Sequence, residues 1–363
     1  MVDNWLQCCY TNDNGWRSAA VSDALPKSAY AFCTRFQAVN SDIPPDGWRA
    51  EDGTALSLLE VHGNDAYVCL CRTQYGLTDR VGRQNMFSHA FLLPWRAALR
   101  DPNVFLTIAD ENFAVDLETA EARHAGVYLP PFALDAALSD LGMNQASYLA
   151  LIRAVCVQLA EPRTPDPLYI ESDGSDLQMR KLLYCVYVGL PYHLRKQLNA
   201  ASAATRAPER MQLIFSADAA SRKRHFIPRS GQENVLTQKH LARFERGGYL
   251  DHAPRCLQTE LENPGAFLRF FDELESRAAT LGGGKSELRF RVAYRLMQNA
   301  DYESMTGSEL ELRLTEALRA RPRASGALNQ YIADLLRVMA KRGLTPQEPG
   351  DIPVDGPKEN NSK

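Results

Sequence analysis

Between Thr78 and Asn85 the chain crowds Asp79, Arg80, Arg83, Gln84 and Asn85 around Gly76 and Gly82, and His89 follows within a few residues. Arginine carries a planar fork that suits carboxylate or phosphate. Glycine lets backbone take left-handed angles or approach a ligand closely, and Asp79 is placed to orient one of the arginines. With His89 as acid/base, Arg83 as anion clamp and Asp79 as orienter, the group would serve an enzyme acting on a small or phosphorylated ligand. The same Tyr75–Asn85 loop equally suits a docking surface for another protein, or a scaffold of internal hydrogen bonds. His89 itself falls on the strand pattern Met86–Leu93 and shares a face with Phe87, Phe91 and Leu93 by period two. The plain expectation is then a buried histidine tied to a backbone carbonyl or to Asp79. Ser88 cannot complete a dyad with it, because adjacent strand residues face opposite ways.

Other chemistry-bearing residues are weaker. Arg222-Lys-Arg-His225, extending to Arg229, reads as a solvated hairpin turn or as a contact for nucleic-acid phosphates. It has no aromatic stacking platform, so nucleic acid is not the expected partner. Asp173-Gly-Ser-Asp176 is too short to cradle phosphates through successive N–H groups. Gly284-Lys285-Ser286 invites a phosphate-loop reading, but the pattern needs glycine where Ala279 stands, and the preceding segment is helical. His62 and His124 read as exposed turn and loop residues. The eight cysteines, Cys8, Cys9, Cys33, Cys69, Cys71, Cys156, Cys185 and Cys256, form no CxxC pair and sit mostly in apolar segments, as small hydrophobes. No metal or cofactor is expected.

The elements that must position these groups divide the chain into regions. Residues 1–140 read as a β-rich domain: strands at Trp5–Thr11 and Trp16–Val21 around an Asn/Asp/Gly turn, then Leu56–Val61, Ala66–Cys71 and Met86–Leu93. The stretch Trp95–Ala125 reads as a loop carrying one strand, Val104–Ile108. Residues 141–252 read as a small α/β domain. Its helices are Ser147–Leu159, capped by Asn144, and Leu177–Val188; its strands are Leu168–Ile170, Met211–Phe215 and His225–Ile227. Residues 253–345 read as a helical bundle. A first helix starts at Asn263-Pro264, and three more are marked by Leu288/Val292/Leu296, Leu310/Leu314/Leu318 and Leu328/Ile332/Leu335/Met339. Residues 346–363 read as a disordered tail. The expected fold class is α+β.

Of the 363 residues, 45% are hydrophobic and 23% charged, the balance of a soluble globular protein, and the net charge of −3 offers no global field for nucleic acid or membrane. No apolar run approaches the ~18–20 residues a membrane span needs. Met1-Val-Asp-Asn-Trp-Leu6 carries no basic leader, so the expected compartment is the cytoplasm.

Tyr10-Thr11 followed by Gly15-Trp16, and Asp79-Arg-Val-Gly82-Arg83-Gln-Asn85-Met-Phe87-Ser-His89-Ala-Phe-Leu92, resemble the N-terminal domain of the bacterial GTPase-associated protein family. Leu168-Tyr-Ile170 and Val188-Gly-Leu-Pro191-Tyr-His-Leu-Arg195 resemble its middle part, so the likeness covers roughly residues 1–230. The resemblance implies a non-catalytic adaptor or regulator in a multi-protein conflict or antiviral defence system. Its partner would be a protein, such as a GTPase, and Tyr10, Thr11, Asp79, Arg80, Arg83, Asn85 and His89 are the expected binding residues. It implies no catalytic residue.

Overall fold

The computed structural model describes residues 6–11, 17–19, 23, 53–60, 66–78, 84–120, 126–160, 166–202, 211–233, 248–281, 286–298, 301–320 and 326–345. The class is α+β. In chain order the elements are β1 Leu6–Thr11, β2 Arg17–Ala19, β3 Gly53–Glu60, β4 Ala66–Thr78 and β5 Gln84–Pro94, then α1 Trp95–Arg100, α2 Asn103–Leu106, α3 Leu117–Ala120, α4 Leu134–Asp140 and α5 Gln145–Ala160. They continue through β6 Leu168–Glu171, α6 Asp176–Gly189, α7 Tyr192–Arg195, β7 Ala200–Ser202, β8 Leu213–Ser216, β9 His225–Ile227 and β10 Gln232–Glu233. The last helices are α8 Tyr249–Glu262, α9 Ala266–Thr280, α10 Ser286–Leu296, α11 Gly307–Arg319 and α12 Gly326–Lys341.

The ten strands among the described residues belong to one sheet, in the order β10-β9-β6-β8-β7-β3-β4-β5-β1-β2. One half is antiparallel. The expected N-terminal hairpin is there, with Cys9 opposite Ala19, and β1 also lies along β5. The other half is parallel apart from its edge strand β10, which runs antiparallel to β9: β8 and β9 flank β6. The two halves meet at β7, which pairs antiparallel with β3 through Ala55 and Ala201 and parallel with β8 through Ala200 and Leu213. The boundary expected at residue 140 therefore lies within a single compact unit, formed by Met1–Ala242 and Ala253–Leu268. Three residues of Ala-Ala-Ser carry no strand pattern of their own, yet both of their edges are hydrogen-bonded.

β4 runs further than its apolar stretch predicts. After Gln74 pairs with Phe87 the register shifts, and Leu77 faces Asn85 and Thr78 faces Gln84. Tyr75 and Gly76 fall in this bulge, where one extra residue bends the strand. Tyr75–Thr78, expected in a loop, are strand, and the connection to β5 narrows to residues 79–83.

Val104–Leu106, expected as strand, is helical. The Asp101 carboxylate accepts the Asn103 N–H at 2.9 Å, and Pro102 supplies a φ of −64° suited to a helix start. Asn144 caps α5 as expected: its Oδ1 accepts the Ser147 N–H at 2.9 Å, while Ser147 Oγ accepts the Asn144 N–H at 2.9 Å.

The second unit comprises Arg243–His252 and Arg269–Lys363. Its apolar stripes are core: Val292, Leu310, Leu314, Leu328, Ile332, Leu335 and Met339 are all buried. Glu316 joins α10 to α11, taking Arg291 Nη1 on Oε1 at 3.1 Å and Arg295 Nη1 on Oε2. Helix α8 was not expected; it holds Pro254 within its length, although proline removes an N–H from a helix interior. The tail 346–363 and the Gly282–Lys285 segment lie outside the described residues. No described helix is long and apolar enough to cross a membrane.

Candidate functional site

Asp79, Arg80 and Arg83 lie outside the described residues. Tyr10 and Thr11 are placed by their backbones on β1, opposite Ser88 and Phe87 of β5, and Asn85 opposite Leu77. His89 is fully described and fully buried. It faces Arg72 across the β4–β5 ladder, on the side of the sheet covered by the segment after α2. Its Nδ1 accepts the backbone N–H of Ala114 at 2.8 Å. Nδ1 is an acceptor here, so the proton of a neutral ring sits on Nε2; Asp79, one of the partners expected for this ring, lies outside the described residues. The ring lies 4.6 Å from Phe91 and 5.7 Å from Phe113 between centroids, the latter edge-on. Ser88 points the other way and bonds Thr73 Oγ1 at 2.6 Å.

A cluster of charges that was not anticipated lies beside it. Arg180 of α6 is 1% exposed and spends its fork on four acceptors: Leu106 O at 3.1 Å, Ile108 O at 2.5 Å, Asp110 Oδ1 at 3.0 Å, and Asp176 Oδ2 one helical turn back. Arg72 Nη1 reaches the same Asp110 oxygen at 3.1 Å. Partial burial, then the nearby Asp176 carboxylate, push the Asp110 pKa up against the opposing pull of Arg72 and Arg180. The signal was legible in part: Arg180 stands three and seven residues before Leu183 and Tyr187 on one helix stripe, and both are buried. Arg195 is buried likewise, donating to Leu190 O at 2.6 Å and to Leu99 O. These arginines tie loops to helices through backbone carbonyls.

A second constellation lies at the carboxyl ends of the parallel strands. A cavity of about 280 Å³ is bounded by Glu171 at the end of β6, Ser172 and Asp173 after it, Ala217 after β8, and Pro228 and Arg229 after β9. Helix α6 contributes Gln178 and Leu182 to its wall. The Asp173–Asp176 turn thus opens onto this cavity, and its own side chains occupy several of the N–H donors there. Asp173 N–H goes to Gln178 Oε1, Gly174 N–H to Ser172 Oγ at 3.3 Å, Ser175 N–H to Asp173 Oδ1 at 2.8 Å, and Gln178 N–H to Ser175 Oγ at 3.2 Å.

The basic run is not a hairpin turn. It links β8 to β9, which flank β6 on opposite sides. Arg222 lies over the Tyr169 ring at 5.0 Å, and His225 Nδ1 is 2.8 Å from Arg222 O. Arg229, at its far end, turns to the cavity.

Cys69, Cys71, Cys156, Cys185 and Cys256 are free and buried. Burial pushes the Cys185 and Cys256 thiols up to about 12 and Cys156 higher still. Such thiols are neither nucleophiles nor metal ligands near neutral pH, and no metal-binding group of His, Cys, Asp or Glu occurs among the described residues. No protein-family model, curated protein or solved structure matches the chain.

Proposed function

We propose that the chain is a non-catalytic adaptor or regulatory subunit of a bacterial GTPase-associated conflict or defence system, docking a protein partner in the cytoplasm through the corner between β4 and β5. The observation that carries this reading is the state of His89. The histidine that would have served an enzyme is fully buried, with Nδ1 bonded to a backbone N–H. Its cross-strand neighbour Arg72 is paired with Asp110. An acid/base must reach the proton it moves, and a ring packed between Phe91 and Phe113 serves the core instead. The choice of a GTPase as partner rests on the resemblance of the segments Tyr10–Trp16 and Asp79–Leu92.

Affinity purification of the tagged chain from its native host, with quantitative mass spectrometry, tests the reading. A GTPase recovered in near-stoichiometric amount is expected. Recovery of the chain alone would count against an adaptor. Turnover of a small or phosphorylated ligand that disappears in a folded His89→Gln variant would replace the proposal with the enzymatic alternative.

A further inference from the structure

We propose that the cavity at the carboxyl ends of β6, β8 and β9 binds a small zwitterion of the free amino-acid type, with its carboxylate on Arg229 and its ammonium on Glu171. The inference is independent of the adaptor reading. Three observations carry it.

The first is topological. The chain leaves β6 through α6 toward β7, and leaves β8 back across β6 to β9. The two connections thus cross as they leave adjacent parallel strands, and in open α/β sheets ligands bind outside the carboxyl ends of the strands. The cavity lies there.

The second is that opposite charges line the cavity without meeting. Among the described residues, neither the Glu171 carboxylate nor the Arg229 guanidinium has a hydrogen-bond or ion-pair partner, and they do not pair with each other, although both border the same space. Arg229 is steadied at its stem. Gly142 has φ of 64°, and a Cβ built there would touch Arg229 Cγ at 3.6 Å, so the aliphatic part of the side chain lies along the Gly142 backbone. Two separated, unpaired opposite charges facing one cavity complement a dipolar ligand. Ser172 adds a donor. It is 4% exposed, and its Oγ accepts the Gly174 N–H but donates to nothing among the described residues.

The third is what the cavity refuses. The N–H groups of Asp173, Gly174, Ser175 and Gln178 are taken by side chains of the turn itself, and the Glu171 and Asp173 carboxylates repel a polyanion. Those same two carboxylates outnumber Arg229 and favour an ammonium. A volume of about 280 Å³ lies at the small end for ligand sites, which start at roughly 300 Å³. It admits an amino acid. The apolar wall of Leu182 and Pro228 leaves room for an aliphatic side chain.

Calorimetric titration of the full chain with each free L-amino acid tests this, alongside the decarboxylated amine and N-acetyl derivative of any that binds, and inorganic phosphate. At least one amino acid is expected to bind, and loss of either charged group to weaken it about tenfold or more. Arg229→Met should lower amino-acid affinity to that of the amine, and Glu171→Gln to that of the N-acetyl derivative, with melting temperatures unchanged. No amino acid binding at millimolar concentration would overturn the proposal. So would phosphate binding more tightly, or folded variants that bind like the wild type. Because Arg229 and Glu171 lie away from the β4–β5 corner, capture of the protein partner by these variants separates failure of this site from failure of the adaptor reading.

Discussion

Arg180 Nη2 donates to Asp110 Oδ1 at 3.0 Å, across seventy residues of chain, and the same guanidinium holds the carbonyls of Leu106 and Ile108. Helix α6, which follows the parallel strand β6, is thereby clamped to the segment that covers His89 on the antiparallel half. This planar fork ties both halves of the unit outside the sheet, as β7 ties them within it.

Removing that fork is expected to be costly. Arg180→Met keeps much of the volume but takes the guanidinium donor from two buried carbonyls and removes the ion pair to Asp176. We expect a loss of about 3 kcal/mol, at the lower end for a broken buried pair because half-exposed Asp110 regains water. Arg180→Lys should recover only part of it, since an ammonium cannot span four acceptors in one plane. Urea unfolding measures both, and a loss under about 1 kcal/mol for the methionine variant would mean that the clamp is incidental.

Gly189 closes α6 against α5, where an added Cβ would overlap the Tyr148 hydroxyl and the Ile152 side chain. Tyr148 cannot swing away freely, because its hydroxyl donates to Cys185 O at 3.1 Å. Gly189→Ala should therefore destabilise by about 1–3 kcal/mol. Adding Tyr148→Phe removes one of the overlapping atoms, so the double variant should lose less than the sum of the two single losses. Simple additivity would show that the helices separate instead.

Burial, and then the Lys196 cation, lower the His193 pKa from 6.5 to about 3. A depressed folded-state pKa means that the unfolded chain binds the extra proton. The contribution of His193 is fully present above pH 6.5 and is lost as the pH falls from 6.5 toward about 3. Stability measured across that window should decline with the slope of one proton, and His193→Gln should flatten it. A profile identical in the two proteins would remove His193 from the account.

The five buried thiols should resist modification. With Cys185 and Cys256 held near 12 and Cys156 above that, a maleimide applied to the native protein near neutral pH should leave them and the buried pair Cys69 and Cys71 unlabelled. All five should label in urea. Peptide mass spectrometry reads the result residue by residue, and native labelling at Cys156 or Cys185 would reveal local opening of α5 or α6.

Local patterns in the chain were enough to place much of this architecture. Asn144 and Ser147 announce the start of α5 because a capping box closes within one turn. The Leu310/Leu314 and Leu328/Ile332/Leu335/Met339 stripes announce α11 and α12 because helical neighbours recur at three and four residues. The Trp5–Thr11 and Met86–Leu93 strands follow from alternation, and with them the burial of His89. Each of these signals is complete within a few residues.

What required the folded chain depends on distant partners. Ala200–Ser202 became a strand because β3 and β8 offered it two edges, which turned two expected domains into one sheet. Val104–Leu106 became helix because Asp101 and Pro102 outweighed a β-branched run. Arg180 and Asp110 needed packing to meet, and Arg229 and Glu171 border one cavity only because strand order places them there. Burial pairs residues by position in space, and no spacing along the chain encodes which remote side chain will be there.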